Sequence, residues 1–259
     1  MKSGLLAVDI GNTEMAVGLL HGESISAHWR FSSKTSRTAD ECHLLLRSGF
    51  ESKGFRLNDV QGVIISSVVP SLTRVFTDVA RMITETPPLV VSSEIRTGLE
   101  IRYETPRMVG ADRICNAVGG FEKYGGPLII IDFGTATTFD VVTEKGVYCG
   151  GVIALGLAGA SDELHRLSAK LPRVDLNVPD HVVGQSTEQS IQSGIMWGMA
   201  SLVDGLIDRI QNEMGWQSAH VIATGGLAPL MEALSERIQN TDRFLTLEGM
   251  RIIYERNLS

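Results

Sequence analysis

Two rhythms of apolar and polar positions run along this chain. LLAVD (5–9), VQGVIISSVV (60–69), LIII (128–131) and AHVIATGG (219–226) are short, almost unbroken apolar runs, the pattern of strands buried on two faces. Between them, Leu72, Val75, Phe76, Val79, Met82 and Ile83 recur every three or four positions, which predicts a helix over 71–85. The same reasoning predicts strands at about 15–20, 26–33 and 88–93, and helices over 38–49, from Gly110 onward, over 161–169 and from about Ala228. A long helix is predicted over 187–214, opened by a Ser186/Gln189 capping box and stopped at Gly215. Gly11 and Asn12 read as a hairpin turn that tolerates positive φ.

The stretch PLIIIDFGTATTFDVV (127–142) repeats the opening of the chain: Asp9-Ile10-Gly11-Asn12-Thr13 aligns with Asp132-Phe133-Gly134-Thr135-Ala136 at an offset of 123 positions. One repeat at half the chain length implies two similar halves, not a solenoid. The expected architecture is α/β, each half a hairpin-led mixed sheet flanked by helices, with a cleft between halves and a boundary near 120/121. A net charge of −7 with no Lys/Arg cluster argues against a nucleic-acid partner. The apolar run at the N-terminus breaks at Asp9, too soon for a signal peptide, and no stretch approaches 18 apolar residues, so no membrane partner is expected. Cys42, Cys115 and Cys149 have no metal-ligand spacing and fit a reducing cytoplasm.

Three motifs carry candidate chemistry. In each D-x-G turn, at Asp9/Gly11 and Asp132/Gly134, a carboxylate ends a buried strand and a glycine lets backbone approach a ligand. With Asn12, Thr13, Thr135, Thr137 and Thr138 these form the parts of a phosphate cradle; a single copy fits a plain turn cap equally well, a duplicated copy does not. GADR (110–113) places Asp112 and Arg113 at a helix start. There Asp112 can serve as general base and Arg113 as carboxylate partner, or Asp112 can simply favour the helix dipole. ATGG (223–226) suits a flat ring against backbone, or an ordinary turn. The six histidines are scattered without metal-pair spacing, and no P-loop or G-x-G-x-x-G is present.

Together these motifs resemble the type III pantothenate kinases of the acetate and sugar kinase/Hsp70/actin superfamily. DIGNT (9–13), YETPRMVGADR (103–113), DFGTATTFD (132–140), GGVIALGL (150–157) with LSAKLPRV (167–174), and TGG (224–226) occur in the family's order across nearly the whole chain. The resemblance implies duplicated ribonuclease H-like (actin-like ATPase) halves, 1–120 and 121–259. It implies ATP-dependent phosphorylation of pantothenate, the first step toward coenzyme A. On that resemblance Asp112 is the proton acceptor. Asp9, Ile10, Gly11, Asn12, Thr13, Glu14, Met15 and Ala16, with Thr135, line the ATP phosphates. Tyr103, Gly110, Ala111, Asp112, Arg113 and Thr187 contact the acceptor. Asp132 holds K⁺ or NH₄⁺, and Asp9 holds Mg²⁺ through water. The implied partners are ATP, pantothenate and a second copy of the chain. Leu155 and Thr105 stand where the family commonly has proline and asparagine. Two other readings remain at this point: a non-catalytic accessory relative, and a superfamily kinase for another small hydroxylated substrate.

Overall fold

The structure is a computed structural model that describes residues 4–168 and 170–258; Ala169, in the LSAKLPRV segment, lies outside the described residues. The chain packs as two compact units, Met1–Lys123 with Phe244–Ser259, and Tyr124–Arg243. The first opens with antiparallel β1 (Gly4–Ile10), β2 (Glu14–His21) and β3 (Ser24–Ser32). Helix α1 (Ala39–Ser52) leads to β4 (Val60–Ser67), parallel to β1, and α2 (Pro70–Ile83) leads to β5 (Leu89–Val90), parallel to β4. A two-residue strand, β6 (Glu100–Ile101), and helix α3 (Ala111–Tyr124) follow.

The second unit has antiparallel β7 (Leu128–Phe133), β8 (Ala136–Val142) and β9 (Val147–Leu155). Helices α4 (Leu157–Leu167) and α5 (Thr187–Met214) precede β10 (His220–Thr224), parallel to β7. Helix α6 (Ala228–Glu232) precedes β11 (Asn240–Thr241), parallel to β10, and α7 (Leu245–Leu258) ends the described chain. The strand order β3-β2-β1-β4-β5 of the first sheet recurs as β9-β8-β7-β10-β11 in the second. The five-residue repeat is therefore the visible part of a whole duplicated topology.

Period-2 alternation decides which strand residues meet helices. Leu6, Val8 and Ile10 of β1 join a core with Leu46 and Phe50 of α1 and Phe76 and Val79 of α2. Ile129, Ile131 and Phe133 of β7 join a core with Ile195, Met199 and Val203 of α5. Asp9 and Asp132 alternate out of step with those residues, so each carboxylate emerges on the other face of its sheet. In the first unit that other face carries α7: a Cβ on Gly18 of β2 would lie 2.9 Å from Leu247, and one on Gly62 of β4 would overlap Tyr254.

Several expectations are corrected. A single last helix from Ala228 is replaced by short α6 and separate α7, because the SERIQNTD segment (235–242) turns and adds β11 between them. Helix α7 belongs to the first unit, so the division differs from 1–120/121–259. It is tied there by Asn257, which donates to the Arg96 carbonyl (2.9 Å) and accepts from the Arg96 N–H (3.2 Å), and by Arg256 bonding Glu122 at 2.7 Å. Among the described residues no non-glycine residue has positive φ, and Gly11 does not either. Space at Gly11 is tight, since a Cβ would stand 3.1 Å from the Glu14 carbonyl oxygen. The two hairpins also differ by one residue: Asp9 pairs with Ala16, but Asp132 pairs with Thr138. Ser186 caps α5 through the Gln189 N–H (3.2 Å), but the Gln189 side chain reaches back to the Gln185 N–H (2.9 Å), one position short of a reciprocal box. Helix α4 starts at Leu157, four positions ahead of the expected 161.

Candidate active site

In the first unit β1 and β4 run parallel with Asp9 beside Ser66. The fully buried Ser66 hydroxyl donates to Asp9 Oδ1 at 2.7 Å. Cys115, one turn along α3 from Asp112, is wholly buried against them. Burial pushes its thiol well above the usual value; the charge of Asp9 and, less, that of Asp112 add to the rise, while a hydrogen bond with Ser66 opposes it. Asp9, Ser66, Cys115 and Asp112 thus form one cluster. Ser66 was not among the expected site residues. Its signal was a pair of hydroxyls ending an otherwise apolar strand, where a buried polar group needs a partner.

Helix α3 starts where GADR predicted. The Arg113 N–H donates to Asp112 Oδ1 at 2.8 Å. A Cβ on Gly110 would fall 2.5 Å from that same oxygen and 3.6 Å from Val68, so glycine leaves the space into which the carboxylate folds. Burial raises the Asp112 pKa above its ordinary value of 3.8, against the lowering effects of the Arg113 N–H and charge. Glu41, in the first turn of α1, shows the contrast: it is exposed, and hydrogen bonds from Thr38 lower its pKa. Glu41 behaves as a helix cap. Asp112 behaves as a partly desolvated carboxylate whose basicity is raised, which is what a general base requires. Arg113 is buried, at 7% exposure.

The remaining first-unit candidates divide by direction. Ile10 and Met15 are core residues, so any ligand contact from them is through backbone. The Gly11 N–H donates to the Glu14 carbonyl at 3.0 Å and the Thr13 carbonyl accepts from Ser33, so the hairpin itself uses these groups. Asn12 is exposed at the tip, Ala16 is half-buried, and Glu14 is paired with Arg30 at 2.5 Å. Ala111 is buried at the first position of α3, and Tyr103 is exposed. In the second unit, Asp132 pairs with Thr224 of β10. Gly225 has φ +92°, and a Cβ there would stand 2.6 Å from Asp132 Oδ1. A Cβ on Gly134 would lie 3.4 Å from the same oxygen, and one on Gly156 would collide with the Thr135 carbonyl. Gly225 thus leaves the space beside the Asp132 carboxylate. Thr187 is exposed at the first position of α5, and Leu155 and Thr105 are exposed.

Among the described residues no group of three or more His, Cys, Asp or Glu side chains could hold a metal ion. No helix among the described residues is long and apolar enough to cross a membrane.

A family model described as type III pantothenate kinase matches residues 5–209. The chain belongs to the type III pantothenate kinase family. Members from Moorella thermoacetica and Geobacter sulfurreducens are 49% and 47% identical over 253 residues, covering 98% of this chain and 99% of each relative. Among solved structures, a conserved putative Baf family transcriptional activator from Campylobacter jejuni matches with TM-score 0.63 at 17% identity, covering 98% of each chain. A ROK hexokinase from Thermus thermophilus matches with TM-score 0.52 at 12% identity, over 96% of this chain and 98% of that one. These structural likenesses concern the fold, and they agree with duplicated ribonuclease H-like, actin-like sheets.

Proposed function

We propose that this family member transfers the γ-phosphoryl group of ATP to the primary hydroxyl of pantothenate, giving 4'-phosphopantothenate. The observation that carries the reading is the buried cluster in which Asp9 and Asp112 both act on Cys115. That both charges are felt at one buried thiol supports pairing a strand-end carboxylate suited to metal-bound phosphate with a carboxylate suited to a hydroxyl proton. Phosphoryl transfer asks the protein mainly for positioning and charge neutralisation. Asp112 accepts the proton as the hydroxyl attacks. Gly110, Ala111, Arg113, Tyr103 and Thr187 bind the acceptor, and the Arg113 guanidinium answers its carboxylate. The Asp9–Ala16 hairpin, largely through backbone and the Asn12 tip, receives the phosphates with Thr135. Mg²⁺ bound with the nucleotide neutralises phosphate oxygens, and Asp9 holds its water shell. Asp132, beside the space that Gly225 leaves open, holds K⁺ or NH₄⁺. Exposed Ile153, Leu155, Val182 and Val183 offer apolar surface for a homodimer. Three free cysteines, two of them buried, fit work in the cytoplasm.

A coupled ADP-release assay with Mg²⁺ and K⁺, offering pantothenate against a panel of sugars, tests the reading. Turnover of pantothenate alone is expected; turnover of a sugar instead, or of nothing, sinks it. Replacing K⁺ by Na⁺ in the same assay should lower the rate severalfold. An unchanged rate removes the cation from Asp132.

A further inference from the structure

We infer that Ser66 is a positioning residue for the nucleotide end of the site, acting through Asp9. A strand-end carboxylate can rotate among staggered side-chain conformers unless something fixes it. Ser66 lies directly across the parallel β1–β4 ladder from Asp9, and its hydroxyl donates to Oδ1 at 2.7 Å. The serine has no solvent exposure, so water cannot replace that bond.

The duplicated fold supplies an independent argument. In the second unit the residue across the parallel β7–β10 ladder from Asp132 is Thr224, 1% exposed. Each half thus sets one buried hydroxyl residue at the same register beside its strand-end carboxylate. The surroundings differ: Ser67 continues β4, whereas positive-φ Gly225 follows Thr224. A hydroxyl needed only to fill space at a strand end would give no reason for this shared register. Outer partners that orient a metal-binding carboxylate typically change affinity ten- to a hundredfold when removed. Ser66 is expected in that range, with its effect confined to metal-bound nucleotide.

This inference rests on the reading of Asp9 as the Mg–phosphate carboxylate, but its test does not need pantothenate. Calorimetric titration of the full chain with ATP, in Mg²⁺ and separately in EDTA, is run on wild type, Ser66→Ala, Ser66→Thr, Asp9→Asn and the Asp9→Asn/Ser66→Ala double variant. Ser66→Ala should weaken Mg–ATP binding about ten- to a hundredfold while leaving metal-free ATP binding unchanged. Ser66→Thr should recover most of the loss, and the double variant should bind no more weakly than Asp9→Asn alone. Wild-type affinity for Mg–ATP in Ser66→Ala overturns the inference. Equal losses with and without Mg²⁺, or losses that add in the double variant, also overturn it, because they mark a purely structural role. If Ser66→Ala behaves as expected and the wild type still ignores pantothenate, the acceptor assignment fails and the role of Ser66 stands.

Discussion

Asp112→Asn should lower pantothenate turnover by about a hundred- to ten-thousandfold, the usual contribution of a general base, while Mg–ATP binding is retained. The asparagine keeps an amide oxygen for the Arg113 N–H, so the helix start is preserved and proton acceptance is lost. The pH dependence should follow. Burial raises the Asp112 pKa above 3.8, so the acid limb of wild-type kcat/KM should lie above that value, and residual activity of the variant should lack it. Stability should move the other way. A carboxylate whose folded pKa is raised binds its proton more tightly in the native state, and its ionisation costs stability as pH rises from 3.8 through the folded value. Asp112→Asn should therefore be as stable as wild type near pH 4 and at least as stable at pH 8. Retained turnover, or a variant that melts well below wild type at pH 8, would reduce Asp112 to a helix-start residue.

The largest expected loss of stability is at Gly249. Helices α3 and α7 cross with their backbones in contact: a Cβ on Gly249 would stand 1.9 Å from the Cys115 carbonyl oxygen, and one on Gly119 would stand 2.6 Å from the Leu245 carbonyl oxygen. Neither obstacle is a flexible side chain, so alanine must push one helix off the other. Overpacking of this kind costs about 1–3 kcal/mol, which should lower the melting temperature of Gly249→Ala by roughly 2–12 °C. Because α3 carries Asp112 and Cys115, turnover should fall with it. Gly205, within α5 and with nothing within 4 Å of an added Cβ, is the control. There alanine should raise stability by up to about 1 kcal/mol through helix propensity. Equal melting temperatures for wild type and Gly249→Ala would show that the crossing relaxes freely.

The strand-end carboxylates were legible because their signal is local. Asp9 and Asp132 announce themselves as acids ending apolar runs, and the repeat shows that their placement is no accident of one turn. The helix starts at Ala111 and Thr187 and the stop at Gly215 follow from neighbours a few positions away, which is how caps work. Ser66 was missed because its partner lies 57 positions earlier. A serine ending a strand reads as a turn residue until the parallel ladder sets it beside Asp9. The separate α7 was missed because its pattern is weak in isolation, and its purpose appears only when Gly18, Gly62, Gly119 and Gly249 are seen as room for one helix.

By itself, then, the sequence determined two α/β halves, the strand-end carboxylates, the GADR helix start and the family that these resemble. Hydrophobic periodicity and short motifs are written in residues close along the chain. Tertiary structure alone decided that the last helix belongs with the first unit, that the Gly11 N–H is used by its own hairpin, and that Ser66 and Cys115 join Asp9 and Asp112. Each of those outcomes depends on strand register or helix crossing between distant segments, where a single backbone contact or a buried hydrogen bond selects the arrangement.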